Sequence, residues 1–171
     1  VRRLDAGRPE LVRPCINCLV CVAQNFWSGQ PVCAVNARLG HYDEPDPLPA
    51  GSPRHVVVIG GGPAGMECAR VAAERGHRVT LLEASDQLGG TTRFSSLTAP
   101  INGEFVEVLR AAITEAGVET HTGVRADNEL IANLAPDAVV VATGARRAQP
   151  DLPGADLPHV LSGDDLRAQL T

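Results

Sequence analysis

The sequence has few aromatic residues, no long hydrophobic run and no excess of positive charge. Aromatics make up 3% of the 171 residues, so valine, alanine and leucine must fill most of a core. The formal net charge is −5, and no basic stripe is present to neutralise the phosphates of a nucleic acid. The longest apolar runs have the length of buried strands rather than of a membrane span. We therefore expect neither a nucleic-acid partner nor a membrane partner.

The ends of the chain and its histidines carry little functional signal. The chain begins at Val1 and has no basic-then-apolar segment of the kind that opens a secreted protein. The first residues are mostly polar, and the C-terminal stretch contains no recognisable helix or strand that would close the fold. Both features suggest that the chain is part of something larger. The histidines have no paired spacing, so we interpret them as surface or strand-end residues and predict no catalytic residue. They are His41, His55, His77, His121 and His159.

Four of the five cysteines lie close together near the start of the chain. They are Cys15, Cys18, Cys21 and Cys33. Without a secretory signal, a metal site is favoured over a disulfide framework. Three thiolates at intervals of three residues can wrap one face of a compact cluster, and a fourth on a returning loop can close the cage. We predict a four-cysteine iron–sulfur lobe over residues 1–39, with a zinc site, or free or redox-active thiols, as alternatives. The fifth cysteine, Cys68, is interpreted as a small buried hydrophobe.

The remainder of the chain begins with a proline-rich segment. Residues 40–53 hold four prolines, which suits a linker or a surface strap because each proline removes an amide donor. From residue 54 onward, apolar runs of strand length alternate with helical patterns, which is typical of an α/β fold with a parallel sheet covered on both faces. We predict strands at His55–Ile59, Val79–Glu83, Val118–Thr122 and Ala138–Ala142. We predict helices at Pro63–Arg75, Glu104–Ala116 and Asp127–Leu134, the second with Asn102 as its N-cap.

A glycine-rich turn joins the first predicted strand to the first predicted helix. Gly60 permits the tight turn, Gly62 lets the backbone approach a pyrophosphate, and Gly65 allows the helix to pack closely on the strand. The helix N-terminus adds free amide donors and a positive dipole end. Glu83, at the end of the next strand, is placed to accept hydrogen bonds from a ribose diol. This unit predicts a site for the ADP part of FAD or a related dinucleotide, with a glycine turn that binds nothing as the alternative.

Four stretches resemble a known family and occur in the family's order. They are Arg13–Cys18, Pro31–Asn36, Val56–Gly65 with Glu83 and Gly89–Gly90, and Val139–Gly144 with Pro153–Gly154. Through them the chain resembles the C-terminal part of the iron–sulfur flavoproteins related to 2,4-dienoyl-CoA reductase and trimethylamine dehydrogenase, the old yellow enzyme-like NADH:flavin oxidoreductases. The resemblance implies an incomplete Rossmann-like domain of the glutathione-reductase type over residues 54–171. The implied cofactor-binding residues are Gly60, Gly62, Pro63, Ala64, Gly65, Glu83, Gly89, Gly90, Thr143 and Gly144.

The same resemblance implies partners that the sequence does not contain. In the family an N-terminal (β/α)8 barrel carries FMN and the substrate site, and a 4Fe–4S cluster relays electrons. FAD, or ADP in its place, occupies the nucleotide site, and electrons arrive from an NAD(P)H domain or leave to an electron-transfer flavoprotein. The barrel and a second glycine fingerprint for NAD(P)H are absent from this sequence. The cysteine spacing mixes features of the amine dehydrogenases and the reductases, so it leaves the subfamily open.

The sequence therefore predicts an electron-transfer module of an iron–sulfur flavin oxidoreductase. This module would relay electrons between a dinucleotide or flavin site and an FMN-bearing barrel partner. One alternative is a structural module of an amine dehydrogenase-like enzyme that binds ADP, and another is a zinc-stabilised binding module. Because thiolate ligands need reducing surroundings before a cluster is loaded, we expect a cytoplasmic protein.

Overall fold

The chain folds as a mostly irregular lobe followed by alternating strands and helices. The computed structural model describes residues 2–27, 29–41, 48–145 and 151–170. The strands in these residues are β1 (His55–Ile59), β2 (Arg78–Leu82), β3 (Glu119–His121) and β4 (Ala138–Val141). The helices are α1 (Arg2–Asp5), α2 (Val20–Trp27), α3 (Pro63–Glu74), α4 (Gly90–Ser95), α5 (Pro100–Glu115), α6 (Asn128–Leu134) and α7 (Gly163–Leu170), with a 3-10 helix at Pro9–Leu11. None of the described helices has the length and apolar character needed to cross a membrane.

The strands form one parallel sheet in the order β3-β2-β1-β4. β1 lies in the middle of the sheet, and its fully buried Val57 pairs with Thr80 of β2 on one side and with Val139 of β4 on the other. Because the strands are parallel, the carboxyl ends of β1, β2 and β4 meet at one side of the sheet. Open α/β sheets bind their ligands at that side. The predicted fold class, a Rossmann-like α/β domain, is confirmed.

The hydrophobic core lies between one face of the sheet and helices α3 and α5. Alternate residues of the two central strands point into this core because side chains along a strand alternate between its faces. The main contributors are Val56, Val58, Val79 and Leu81 from the strands, and Met66, Phe105, Leu109 and Ile113 from the helices. The low aromatic content is thus reflected in a core built mainly from aliphatic side chains.

The opposite face of the sheet is covered only in part by the described residues, whereas the sequence predicted cover on both faces. Val57 and Thr80 are buried on this face, but Val139 and Val141 of β4 are 42% and 71% exposed. His55 begins β1 on the same face, and its Nε2 lies 3.0 Å from the Thr80 Oγ1. We expected this histidine on the surface or at a strand end. It is at a strand end, but it is buried.

Helix α5 begins earlier than the sequence predicted. It starts at Pro100 rather than Glu104, and proline suits the first turn because its missing N–H needs no partner there. Asn102, which we expected as the N-cap, lies inside this turn, and its Nδ2 donates to the Ser95 Oγ across 2.8 Å. The N-cap position belongs to Ala99. The N-cap prediction was wrong because the Asn102 side chain is bonded to the end of α4 instead.

Four of the described helices were not predicted, namely α1, α2, α4 and α7. Helix α4 has the sequence GTTRFS, and its glycine and threonines are weak helix formers. Helix α7 follows a reciprocal pair of hydrogen bonds in which Ser162 N donates to Asp165 Oδ2 across 2.8 Å and Asp165 N donates to Ser162 Oγ across 3.1 Å. This resembles a capping box, a helix-start signal that the sequence did contain. Helix α7 occupies the stretch in which we expected no closing element.

The proline-rich segment is described only at its two ends. Residues 42–47, which hold two of its prolines, lie outside the described residues. Beyond them, the Arg75 Nε donates to the Leu48 carbonyl across 3.1 Å, and the Ala50 amide donates to the Arg75 carbonyl across 2.8 Å. These bonds hold the described part of the segment against the C-terminal end of α3. The division of the chain at residues 40–53 stays a prediction.

Candidate functional site

Two glycines of the turn after β1 are required by close packing. Gly60 has a φ of +110°, and a side chain there would collide with the carbonyl of Ala142 just beyond β4. A side chain on Gly65, in the first turn of α3, would collide with the carbonyl oxygen of Gly60. The Gly60 amide also donates to the Leu82 carbonyl at the end of β2, across 2.7 Å. The turn is therefore held between three neighbouring strands and the helix that follows it.

Gly62 differs from these two glycines because the space beside it is open. Its φ of −73° and ψ of 176° suit any residue, and a Cβ built on it meets no atom within 4 Å. Gly62 is the N-cap of α3 and has no side chain to accept from the amides of the first turn, where Pro63 and Ala64 lie. Open space at the N-terminus of a 12-residue helix suits the phosphates of a nucleotide. The residues present thus fit an anionic diphosphate.

Glu83 connects the glycine turn to the loop after β2. One carboxylate oxygen, Oε2, accepts from the Gly61 amide across 2.6 Å. The other, Oε1, accepts from both the amide and the hydroxyl of Ser85, each across 2.8 Å. A carboxylate has about four acceptor sites, and three are used here, so one remains for a hydroxyl of the ribose diol that the sequence predicted as its partner. Sequence reasoning missed Ser85 because nothing in the local pattern marks it.

The second glycine pair lies directly against the glycine turn. The Gly89 amide donates to the Gly61 carbonyl across 2.9 Å. A Cβ built on Gly90 would lie 3.3 Å from the Cα of Gly62, so the two backbones leave no room for a side chain larger than a hydrogen without a shift. The start of α4 and the start of α3 are therefore neighbours, although 27 positions separate their first residues, Pro63 and Gly90.

The segment after β4 also lies beside the glycine turn and completes the candidate cofactor site. A Cβ on Gly60 would lie 3.0 Å from the Cα of Thr143, and Gly144 follows with a φ of +77°. The structure thus gathers the predicted cofactor-binding residues at the carboxyl ends of β1, β2 and β4. They are Gly60, Gly62, Pro63, Ala64, Gly65, Glu83, Gly89, Gly90, Thr143 and Gly144. Their contact with a cofactor stays a prediction.

The four clustered cysteines are free thiols with different exposure. Cys15 and Cys18 are exposed, whereas Cys21 and Cys33 are half-buried. Cys33 packs against the core of the domain, and the Cys15 thiol lies 3.6 Å from the Asn17 Oδ1. Within the described ranges no three histidine, cysteine or acidic side chains are grouped closely enough to hold a metal ion. Four thiols suit a cluster by their chemistry, but their assignment as its ligands stays a prediction.

The backbone around Cys18 has an uncommon conformation. Asn17 and Leu19, on either side of this cysteine, have φ values of 54° and 57°. Asparagine tolerates the left-handed region, but leucine does so only at a cost of about 1–2 kcal/mol. Such a cost is retained where the surrounding structure or a function requires the conformation. The sequence contained no glycine here to signal the turn.

Glu67 of α3 accepts hydrogen bonds from two arginines, one of which, Arg13, belongs to the cysteine lobe, residues 1–39. Arg70 donates to it from the same helix across 2.8 and 3.0 Å, and Arg13 of the lobe donates across 2.5 Å. Burial raises the pKa of Glu67, but the hydrogen bonds from Arg70 and Arg13 outweigh burial and hold that pKa below its usual value. Arg13 was noticed in the sequence only as part of a motif, because no local pattern pairs it with a residue 54 positions away.

Helix α2 exposes its largest side chains. Phe26 and Trp27, between the third and fourth cysteines, are 82% and 85% exposed, and Leu19 and Val22 nearby are 66% and 50% exposed. None of the residues of this helix is buried by the described chain. Contiguous exposed apolar side chains of this size are characteristic of surfaces that contact another molecule or domain.

The fold and the glycine turn together define the class of protein. A parallel sheet with a glycine-rich turn between β1 and α3 is that of a Rossmann-like oxidoreductase domain. The sequence matches the pyridine nucleotide-disulphide oxidoreductase family over residues 22–132, which is more than half of the chain. The chain belongs to this family.

Relatives of the chain include oxidising and reducing enzymes. It is 39% identical over 163 residues to the NADH oxidase of Thermoanaerobacter brockii, a match that covers 91% of the chain and 25% of that protein. The solved structure of a 2-naphthoyl-CoA reductase is 34% identical with a TM-score of 0.84, covering 92% of this chain and 24% of the other. That of 6-hydroxypseudooxynicotine amine oxidase from Pseudomonas geniculata N1 is 30% identical with a TM-score of 0.87, covering 98% and 28%.

The match to the amine oxidase covers 98% of the chain and therefore includes the cysteine lobe as well as the domain. The chain spans about a quarter of the length of the relatives that it matches. The resemblance drawn from the sequence motifs, to part of a family of larger reductases and amine-oxidising enzymes, is confirmed. The chain thus matches one segment of each of these larger oxidoreductases.

Proposed function

We propose that this chain is an electron-transfer module of a larger iron–sulfur flavin oxidoreductase. In this proposal the nucleotide site takes FAD, or ADP in its place, and Cys15, Cys18, Cys21 and Cys33 hold a 4Fe–4S cluster. When bound, such a cluster accepts and releases single electrons. The observation that carries the proposal is that the cysteine lobe is attached to α3, the helix whose N-terminus forms the candidate diphosphate site.

The nucleotide part of the proposal is supported by the geometry around Gly62. The space beside Gly62 is open, whereas that beside Gly60 and Gly65 is filled. Only the position at which a phosphate would approach is therefore free of other atoms. Glu83 is bonded to Gly61 of the turn and has an acceptor site left, which suits a hydroxyl of the ribose.

The cluster part is supported by thiol chemistry and by the conformation of the lobe. Four free cysteines lie on a segment that has few buried side chains of its own. Segments without a core are commonly stabilised by a metal site, and soft thiolates favour iron–sulfur clusters or zinc. The left-handed Asn17 and Leu19 bend the chain tightly on either side of Cys18. Because unloaded thiolates need a reducing compartment, we propose a cytoplasmic location.

The partner in this proposal is an FMN-bearing (β/α)8 barrel, either fused to this chain or on another subunit. The exposed apolar side chains of α2 support a protein partner because water covers them poorly. An NAD(P)H domain or an electron-transfer flavoprotein would exchange electrons with the module. The relatives include both a reductase and an amine oxidase, so the direction of electron flow is left open in the proposal.

A second candidate function is a structural ADP-binding module without redox turnover at the nucleotide. It is favoured by the residues that form the site: the glycine turn and Glu83 would contact the diphosphate and the ribose, which ADP and FAD share. A zinc-stabilised lobe is a third, because the four thiols also suit zinc.

Visible absorption of anaerobically prepared protein tests the proposal. A broad absorbance that bleaches with dithionite is expected for the cluster, and sharp flavin bands would indicate that FAD is retained. A colourless protein that contains zinc would contradict the relay function. Calorimetric titration with ADP, AMP and FAD then distinguishes the nucleotides. We expect ADP and FAD to bind comparably, and binding of neither by a folded chain would show that the glycine turn is only a turn.

A further inference from the structure

Arg13 contacts both ends of the cysteine segment and the helix that begins at the glycine turn. Its Nη1 donates to the Val35 carbonyl across 2.8 Å, and its Nη2 donates to the Glu67 Oε2 across 2.5 Å. Arg13 lies two positions before Cys15, and Val35 lies two positions after Cys33. One guanidinium therefore links the chain beside the first cysteine, the chain beside the last cysteine and α3.

The surroundings of these contacts make them stronger than surface pairs. The side chains of Arg13 and Glu67 are each 21% exposed, and Val35 is 6% exposed within the domain core. Hydrogen bonds from a charged donor strengthen when water is partly excluded. Arg70 donates two further bonds to the same carboxylate from its own helix, whereas the Val35 carbonyl is bonded by Arg13 and not by Arg70.

The two contacts also need the shape of arginine. A guanidinium presents several donors in a planar fork and can reach a carbonyl and a carboxylate at once. A lysine ammonium in its place keeps the charge, but on its different stem it is expected to reach one of the two acceptors at a time. The segments beside Cys15 and Cys33 would then no longer be held to each other and to α3 by one group.

We propose that Arg13 is a positioning residue that holds the segments bearing Cys15 and Cys33 in register with each other and with α3. The inference rests on the proposed function, because it gives Arg13 a role only if those cysteines are cluster ligands. Without this side chain, the two segments separate more readily, so ligands are lost sooner. The surroundings of the cluster also become less uniform.

The test compares cluster-loaded, anaerobic wild-type protein with Arg13→Gln, Arg13→Lys and Arg70→Gln. Arg70→Gln is the matched control because it removes two bonds to the same Glu67 and one to Glu74 without touching the Arg13–Val35 contact. Iron release to a chelator is followed by visible absorbance, and the line width of the reduced protein is measured by electron paramagnetic resonance. We expect iron release to be about tenfold faster in Arg13→Gln, intermediate in Arg13→Lys and within about twofold of wild type in Arg70→Gln.

Several outcomes would overturn the inference. Iron release from Arg13→Gln within about twofold of wild type would do so, and so would an equal effect of Arg70→Gln, because general destabilisation then explains both. If Arg13→Gln does not fold, Arg13→Lys provides the test. Iron release from Arg13→Lys at the wild-type rate, with an unchanged line width, would then contradict a positioning role for Arg13. A wild-type chain without iron would overturn both the proposed function and this inference, whereas a loaded wild type with an insensitive Arg13→Gln overturns this inference alone.

Discussion

The cysteine lobe and the nucleotide domain differ in how their structures are held. The domain has its own core between the sheet and helices α3 and α5. Among the described apolar residues of the lobe only Leu11 and Val35 are buried, and Val35 belongs to the domain core while the 3-10 helix of Leu11 packs on α5. The domain is therefore stabilised mainly from within, and the lobe mainly by what it contacts.

Because of this difference, single residues stabilise the two regions in different ways. In the domain, one misplaced methyl group meets backbone atoms and disturbs the fold. In the lobe, a few polar contacts such as Arg13–Glu67 hold the chain in place, whereas in the domain the hydrophobic core does so. A bound cluster would supply the remaining stabilisation, because metal binding contributes free energy only to the folded state.

The largest effect is expected inside the domain, at two glycines of the same turn. In Gly65→Ala the new Cβ collides with the Gly60 carbonyl, so we expect a loss of about 3 kcal/mol or more in the free energy of unfolding. In Gly62→Ala the new methyl group enters open space, so stability should change by less than about 0.5 kcal/mol while ADP binding weakens at least about tenfold. Thermal unfolding by circular dichroism and calorimetric titration give the two values. Equal stability of the two variants would contradict the packing described here.

A smaller effect is expected at Glu83, which serves both the fold and the ligand. In Glu83→Gln an amide nitrogen replaces one oxygen and faces the donor of Gly61 or Ser85, so stability should fall by about 1–3 kcal/mol. Affinity for ADP and FAD should fall alike, by about ten- to a hundredfold. Asp86→Asn, at an exposed position in the same loop, is the control and should leave both quantities unchanged. A loss of FAD affinity without a loss of ADP affinity would place Glu83 near the flavin instead.

The attachment of the lobe should depend on pH through Glu67. Since the folded-state pKa of Glu67 lies below its ordinary value of 4.5, the contribution of this carboxylate is present above that value and is lost as the pH falls through the folded pKa. At pH 7, Glu67→Gln should lower the free energy of unfolding by about 1–3 kcal/mol and should remove this part of the acid dependence. Chemical unfolding between pH 7 and acid pH measures it. Glu107→Gln, which breaks an exposed pair with Arg110, should have almost no effect, and an acid dependence unchanged in Glu67→Gln would contradict the assignment.

The smallest effect on stability is expected at the exposed end of α2. Because Phe26 and Trp27 contact little of the described chain, replacing both by serine should change the free energy of unfolding by less than about 0.5 kcal/mol. Any self-association observed for the wild type in sedimentation experiments should be weaker in this variant, since the change removes apolar surface. A stability loss well above 1 kcal/mol would mean that these side chains are packed in solution.

Much of the domain could be predicted from sequence because its signals are local. The apolar runs marked β1, β2 and β4 to within a residue, and the glycine spacing marked the turn to α3. Helix α4 was missed because its glycine and threonines form helices weakly, and the close approach of its first residue, Gly90, to Gly62 exists only in the folded chain. Asn102 was assigned wrongly as a cap because its partner, Ser95, is brought near only by the fold.

The contacts that join the two regions could not be predicted. Arg13 and Glu67 are 54 positions apart, and neither has a local pattern that names the other. The same holds for Glu83 and Gly61, where sequence pointed to a ligand and the structure adds a bond to the glycine turn. Residue types and spacing thus identified the candidate functional side chains. The long-range contacts that orient these side chains are visible only in the folded structure.

The central claim, that the lobe holds an iron–sulfur cluster beside a nucleotide site, is tested most directly by elemental analysis. Iron, acid-labile sulfide and zinc per chain would be measured in anaerobically prepared wild type, in Cys18→Ser and in the control Cys68→Ser. The account predicts about four iron and four sulfide per wild-type chain, a marked loss in Cys18→Ser, because serine is a poorer ligand for iron, and no loss in Cys68→Ser. About one zinc and no iron per chain, or an iron content that Cys18→Ser leaves unchanged, would contradict it.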